Sequence, residues 1–161
     1  MRCGHRDEIG SIPGGRPGIS CSEERSVHAE RTKLKGEVAV KKILLVEDSA
    51  TTRALIRAII DELDEFEVIE ASTGFEALKI LPSQEYELII TDINMPDING
   101  LELISFVRNN QKYNQLPIII VSTERSEEDR RRGMALGATA YLAKPFTSSE
   151  LQEIIRNTVR R

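Results

Sequence analysis

Past residue 40 the chain has no cysteine, no histidine and no tryptophan; both cysteines (Cys3, Cys21) and both histidines (His5, His28) fall in the first 40 of its 161 residues. For residues 41–161 this excludes a Cys/His zinc site, a thiol nucleophile, a structural disulfide and a histidine acting as general acid or base. Aromatic residues make up only 4% of the chain, and every Phe and Tyr lies after residue 40. Positive charge is scarce as well: residues 1–40 carry 7 basic and 6 acidic side chains, residues 41–161 carry 15 and 20. An acidic domain without a basic stripe is ill suited to neutralising nucleic-acid phosphates, so no direct DNA binding is expected. No apolar run exceeds four residues (43–46 and 118–121 are examples), far short of a bilayer span or a signal-peptide core. A cytoplasmic protein without membrane insertion is expected. Any chemistry must come from carboxylates, hydroxyls and lysine.

Residues 1–40 read as an N-terminal extension. Gly-Ser-Ile-Pro-Gly-Gly-Arg-Pro-Gly at 10–18, followed by mixed charges, offers too little apolar surface to offset the entropy of ordering, so disorder is expected there. Cys3, His5, Cys21 and His28 fit no recognised ligand spacing. From Lys41 short apolar runs alternate with amphipathic stretches, the pattern of an α/β domain with a parallel sheet. Strands are predicted at 42–46, 67–71, 87–91, 117–121 and 139–143. Thr73-x-x-Glu76, Ser126-x-x-Asp129 and Thr147-x-x-Glu150 have the capping-box spacing of helix starts. The last helix places Leu151, Ile154, Ile155, Thr158 and Val159 on one stripe and Glu153, Arg156 and Arg160 on the other. Five β/α units in this length suit an open, doubly wound sheet rather than an eight-stranded barrel.

Open parallel sheets bind ligands beyond the carboxyl ends of their strands, near the point where strand order reverses. The residues just past each predicted strand are Glu47-Asp48, Ser72-Thr73, Asp92, Ser122-Thr123 and Lys144-Pro145. Ser72-Thr73 reads as a helix cap only. Three carboxylates at one edge repel one another and call for a cation, and oxygen donors without His or Cys select a hard ion, Mg²⁺ rather than Ca²⁺. With Lys144 and the Ser122 hydroxyl opposite, the set contains the parts of a phosphoryl-transfer site, in which an Asp oxygen attacks in line. Each residue has a plainer reading: Asp48-Ser49 as a helix cap, Asp92 as a turn residue, Lys144 as a surface lysine, Ser122 as a strand-end hydroxyl. Their joint placement at four strand ends favours the shared site.

Four segments then carry a specific resemblance: Ile43-Leu44-Leu45-Val46-Glu47-Asp48-Ser49, Leu88-Ile89-Ile90-Thr91-Asp92-Ile93-Asn94-Met95-Pro96, Ile118-Ile119-Ile120-Val121-Ser122-Thr123, and Gly137-Ala138-Thr139-Ala140-Tyr141-Leu142-Ala143-Lys144-Pro145-Phe146. In this order and at these separations, residues 41–161 resemble a response-regulator receiver domain of the single-domain, CheY-like type. The resemblance implies a flavodoxin-like (βα)5 fold with strand order 2-1-3-4-5. It implies that Asp92 is the phospho-acceptor for a phosphohistidine, supplied by a sensor histidine kinase or phosphotransfer protein. It further implies Mg²⁺ held by Asp48, by Glu47 through water, by Asp92 and by the backbone carbonyl of Asn94. Lys144 would contact the phosphoryl group, next to a cis Lys144-Pro145 bond. Ser122 and Tyr141 would form the switch that couples the site to the face of the fourth helix, fifth strand and fifth helix. Asn94 and Glu124, flanking the attacking water, would tune dephosphorylation toward a short lifetime. Glu47, where relatives often carry Asp, and Thr123, where they often carry Ala or Gly, are departures.

With no residues after the fifth helix, output is expected through a downstream protein target of chemotaxis, motility or phosphorelay type, the chain acting as a monomer or weak phospho-dependent dimer. Arg130-Arg131-Arg132 and Arg125 could meet an acidic partner on that face, or form a solvated charge run. The chain would be a signalling switch rather than an enzyme. Two alternatives stay open: a phosphorylation-independent scaffold with the receiver fold, and a flavodoxin-like flavin carrier or phosphatase. No Gly-rich dinucleotide fingerprint or P-loop supports the latter.

Overall fold

The computed structural model describes residues 39–123 and 126–160. All but the last two residues of the expected tail at 1–40, together with Glu124, Arg125 and Arg161, lie outside them. Elements alternate strictly: β1 (Lys41–Val46), α1 (Ala50–Asp61), β2 (Phe66–Ala71), α2 (Gly74–Ile80), β3 (Leu88–Thr91), α3 (Gly100–Asn109), β4 (Ile118–Ser122), α4 (Glu127–Ala135), β5 (Ala140–Ala143) and α5 (Ser148–Val159), with one 3₁₀ turn, Leu81–Ser83, after α2. All five strands are parallel, in the order 2-1-3-4-5. Every predicted strand lies within one residue of the observed one. The order reverses at β1, whose chain continues to β2 on one side while β3 pairs on the other, so the crevice for a ligand opens beyond the carboxyl ends of β1 and β3.

Alternation along the strands divides the core in two. Ile43, Leu45, Leu88, Ile90, Ile119 and Val121 face α1 and α5, whose Ile56, Ile59, Ile60, Leu151 and Ile155 close over them. Leu44, Val46, Ile89, Ile118 and Ile120 face the other way, toward Ala77 of α2 and Leu101, Leu103, Ile104 and Val107 of α3. The central strands β1, β3 and β4 are covered on both faces, which is why their sequences are near-continuous Ile, Leu and Val. On α5, Leu151, Ile155 and Thr158 are buried, and Ile154 and Val159 pack at the margin of the same cluster, as the stripe predicts.

Helix starts follow local chemistry. Thr73, Ser126 and Thr147 each accept a hydrogen bond from the amide three residues on. The reciprocal arm forms only at Thr147, where the Glu150 carboxylate takes the Thr147 amide at 2.7 Å. At α2 the Glu76 carboxylate reaches one residue further back, accepting from the amide and hydroxyl of Ser72 at 2.7 and 2.8 Å. At α4 the Asp129 carboxylate bonds the Ser126 hydroxyl instead. A full capping box absent from the sequence reading joins Asn99 and Glu102 at the start of α3.

Candidate functional site

The β1 ladder ends when Asp92 N–H donates to Val46 O (3.2 Å) and Glu47 N–H to Ala71 O (3.1 Å), which sets the first residues past β1 and β3 side by side. Glu47, Asp48 and Asp92 thereby bring carboxylate oxygens within 4.8 Å of one another. Glu47 and Asp92 are buried, at 2% and 6% exposure, while Asp48 faces solvent. Lys144 arrives from the end of β5, its amide bonded to Ser122 O at 2.8 Å, and its Nζ donates to Glu47 Oε2 (2.7 Å) and Asp92 Oδ2 (2.9 Å). The Lys144-Pro145 peptide is cis, as the resemblance implies.

The two buried carboxylates are used alike. Glu47 Oε1 accepts from Ser49 N–H at 3.0 Å, and Asp92 Oδ1 accepts from Asn94 N–H at 3.2 Å. In each, one oxygen holds the local turn and the other meets Lys144. The plain reading of Asp92 as a turn residue is therefore true of one oxygen, while the second is held by Lys144. The plain reading of Asp48-Ser49 as a helix cap holds for Ser49, the N-cap of α1, which accepts from Thr52 N–H at 3.3 Å, so the cap falls to Ser49 rather than Asp48.

Burial drives the pKa of Glu47 upward, with the Asp92 charge adding to it, against the hydrogen bonds from Lys144 and the Ser49 amide and the ammonium's charge. Burial works against the Lys144 ammonium, but its hydrogen bonds and charge contacts with Glu47 and Asp92 outweigh this and hold its pKa above the ordinary value. One ammonium does not neutralise three carboxylates, and an all-oxygen donor set with an exposed member fits a hard divalent cation such as Mg²⁺.

Ser122 is fully buried as the last residue of β4, in register with Ala143. Tyr141, in register with Ile120, packs half-buried against the cluster on the α3 side of the sheet, the face toward which alternation also turns Ser122. Asn94 is exposed in the loop after β3. The structure thus brings Glu47, Asp48, Asp92 and Lys144 into one cluster and places Ser122 and Tyr141 on the adjacent strands β4 and β5.

Two glycines that carried no signal in the sequence reading shape that loop. A Cβ on Gly100 would sit 2.0 Å from the Asp92 carbonyl oxygen, and Gly100 N–H donates to Ile93 O at 3.0 Å. A Cβ on Gly74 would lie 2.5 Å from Ile98 O. The loop rests on both helix starts, and its one left-handed residue is Asp97, at φ 67°. The Asn99-Gly100 pair, three residues before Glu102, was the available cue.

A family model described as "Response regulator receiver domain" matches residues 43–156. The chain is 39% identical over 119 residues to a chemotaxis protein CheY homolog of Campylobacter jejuni, covering 73% of this chain and 92% of that one. Among solved structures, Vibrio cholerae chemotaxis protein CheY4 matches with a TM-score of 0.70 and 34% identity over 74% of this chain and 99% of its own. The receiver domain of the Pseudomonas aeruginosa sensor histidine kinase PA1611, solved with a magnesium ion coordinated in its active site cleft, matches with a TM-score of 0.70 and 29% identity over 76% and 100%.

Proposed function

Because this chain belongs to the response regulator receiver family, we propose that it is a two-component switch whose Asp92 accepts a phosphoryl group from the phosphohistidine of a sensor histidine kinase or phosphotransfer protein. The observation that carries this reading is the placement of Lys144 Nζ at 2.7 and 2.9 Å from the buried Glu47 and Asp92, beside a third carboxylate. In the reaction an Asp92 carboxylate oxygen attacks phosphorus, the P–N bond to the imidazole breaks, and the imidazole leaves with its proton supplied from solvent or the kinase. Mg²⁺, held by Glu47, Asp48, Asp92 and the Asn94 carbonyl, would neutralise charge on the phosphoryl oxygens.

Lys144 is already pointed at the acceptor oxygen and moves its hydrogen bond to the phosphoryl group. The Ser122 hydroxyl then turns to that group, Tyr141 takes up the space released, and the face of α4, β5 and α5 changes for a protein partner of chemotaxis or phosphorelay type. Asn94 and Glu124 tune hydrolysis, so a short phosphoryl lifetime is expected; a half-life of many hours would sink that part. Supplied with Mg²⁺ and radiolabelled acetyl phosphate, the protein should take up one label per chain and Asp92→Asn none. Undiminished labelling of Asp92→Asn would refute the assignment.

A further inference from the structure

Arg53 lies on the second turn of α1, where an arginine reads as a solvent-facing helix residue. It is instead half-buried, and its Nη1 donates to the backbone carbonyl of Glu47 at 2.7 Å. That carbonyl belongs to the peptide joining the two acidic residues past β1. Glu47 is held elsewhere by its N–H on Ala71 O and by the Ser49 amide and Lys144 on its two carboxylate oxygens, none of which touches that carbonyl. Arg53 holds the carbonyl itself, on the side of Glu47 that leads to Asp48, the exposed member of the carboxylate trio. The guanidinium also acts on the Glu76 carboxylate, whose pKa is lowered first by the Ser72 amide and hydroxyl and in part by the Arg53 charge.

We propose that Arg53 is a positioning residue for the metal-binding pocket: its hydrogen bond to Glu47 O fixes the Glu47-Asp48 peptide and so aims the Asp48 carboxylate at a divalent cation. This rests on the receiver reading of the pocket. Charge and geometry pull in opposite directions here, which makes the role testable. A cation beside a cation site repels the incoming ion, so on charge alone removing Arg53 tightens Mg²⁺ binding. Loss of an outer partner that orients a ligand weakens metal affinity, by roughly 10- to 100-fold.

Mg²⁺ affinity of the unphosphorylated full chain is measured by titration calorimetry for the parent, Arg53→Met and Arg53→Lys, with thermal melts in EDTA to confirm that each folds. Arg53→Met, which keeps the apolar stem but neither charge nor donor, is expected to bind Mg²⁺ about tenfold more weakly. Arg53→Lys retains the repelling charge and one donor, and is expected to bind more tightly than Arg53→Met. Parent affinity or better in Arg53→Met, or Arg53→Lys no better than Arg53→Met, would overturn the proposal. Failure of the parent itself to bind Mg²⁺ would overturn the receiver reading instead, so the two failures are distinguishable. Should Arg53→Met not fold, Arg53→Leu, which likewise has neither charge nor donor, takes its place under the same criteria.

Discussion

Helices α3 and α4 cover the same face of the sheet, yet they are held to it by different means. α3 buries Gly100, Leu101, Leu103, Ile104 and Val107, and each fully buried aliphatic side chain contributes on the order of 2 kcal/mol. In its last turn, Arg108 donates from Nε and Nη2 to Gly137 O (2.9 and 2.7 Å) and from Nη1 to Asn114 O and Leu116 O (3.1 and 2.7 Å). α4 buries one residue, Gly133, and exposes Met134 at 41%. Its support is local: the Ser126 cap, three carboxylates in the first turn and Arg132 in the last, all favourable to the helix dipole. The tightly packed helix begins where the Asp92 loop ends, so rigidity is concentrated beside the residue proposed as acceptor. The lightly packed helix belongs to the face proposed for output, where a segment with few buried contacts opens at little cost.

The glycines give the sharpest break. Gly100→Ala forces a methyl into the Asp92 peptide and should cost more than about 3 kcal/mol in urea unfolding, because backbone cannot step aside as a side chain can. At Gly133→Ala the clash is with Ile120 Cδ1, the far end of a flexible chain, and alanine improves helix propensity by up to about 1 kcal/mol, so the net change should stay within about 1 kcal/mol. Equal costs would end the comparison. Truncation tests the same contrast more gently: Ile104→Ala should lose about 3 kcal/mol by the same measurement. Met134→Ala, in the lightly packed helix, should lose less than about 0.5 kcal/mol.

The caps separate global from local stability. Asn99→Ala removes the α3 capping box and should lower global stability by about 1 kcal/mol. Ser126→Ala removes a comparable bond, but amide hydrogen exchange should rise only within α4 while the global midpoint holds. A matching fall in the midpoint would show α4 to be as tightly coupled as α3. The smallest effect concerns acid. The Ser72 amide and hydroxyl hold Glu76, and the Thr147 amide and hydroxyl hold Glu150, below the usual 4.5. The unfolded chain therefore takes up these protons first, so their stabilising contribution is whole above 4.5 and fades as pH falls through the depressed folded values. Replacing both by Gln should flatten the loss of stability below that pH, and an unchanged slope would remove these two groups as its source.

Much of the site was readable because strand ends can be found from apolar runs alone. Once 42–46, 87–91 and 117–121 are taken as buried strands, Glu47, Asp48, Asp92 and Ser122 follow as the next residues, and a parallel sheet collects them at one edge. Gly100, Gly74 and Arg53 were not readable in this way. Their importance lies in what approaches them from elsewhere in the chain: the Asp92 carbonyl, Ile98 and the Glu47 carbonyl. Hydropathy and helix periodicity describe a residue's own segment and carry no term for such approaches.

By itself the amino-acid sequence determined the alternation of strands and helices, the caps at Thr73, Ser126 and Thr147, the two-sided burial of the central strands and the set of polar residues at their ends, because all of these arise from neighbours within a few positions. Only the tertiary structure decided how those residues are used. It joined Lys144 to Glu47 across 97 residues and to Asp92 across 52, divided each buried carboxylate between its own turn and that lysine, and turned Arg53 onto the acidic peptide. Distances between side chains on different strands depend on sheet order and register, and these are settled when the whole core closes.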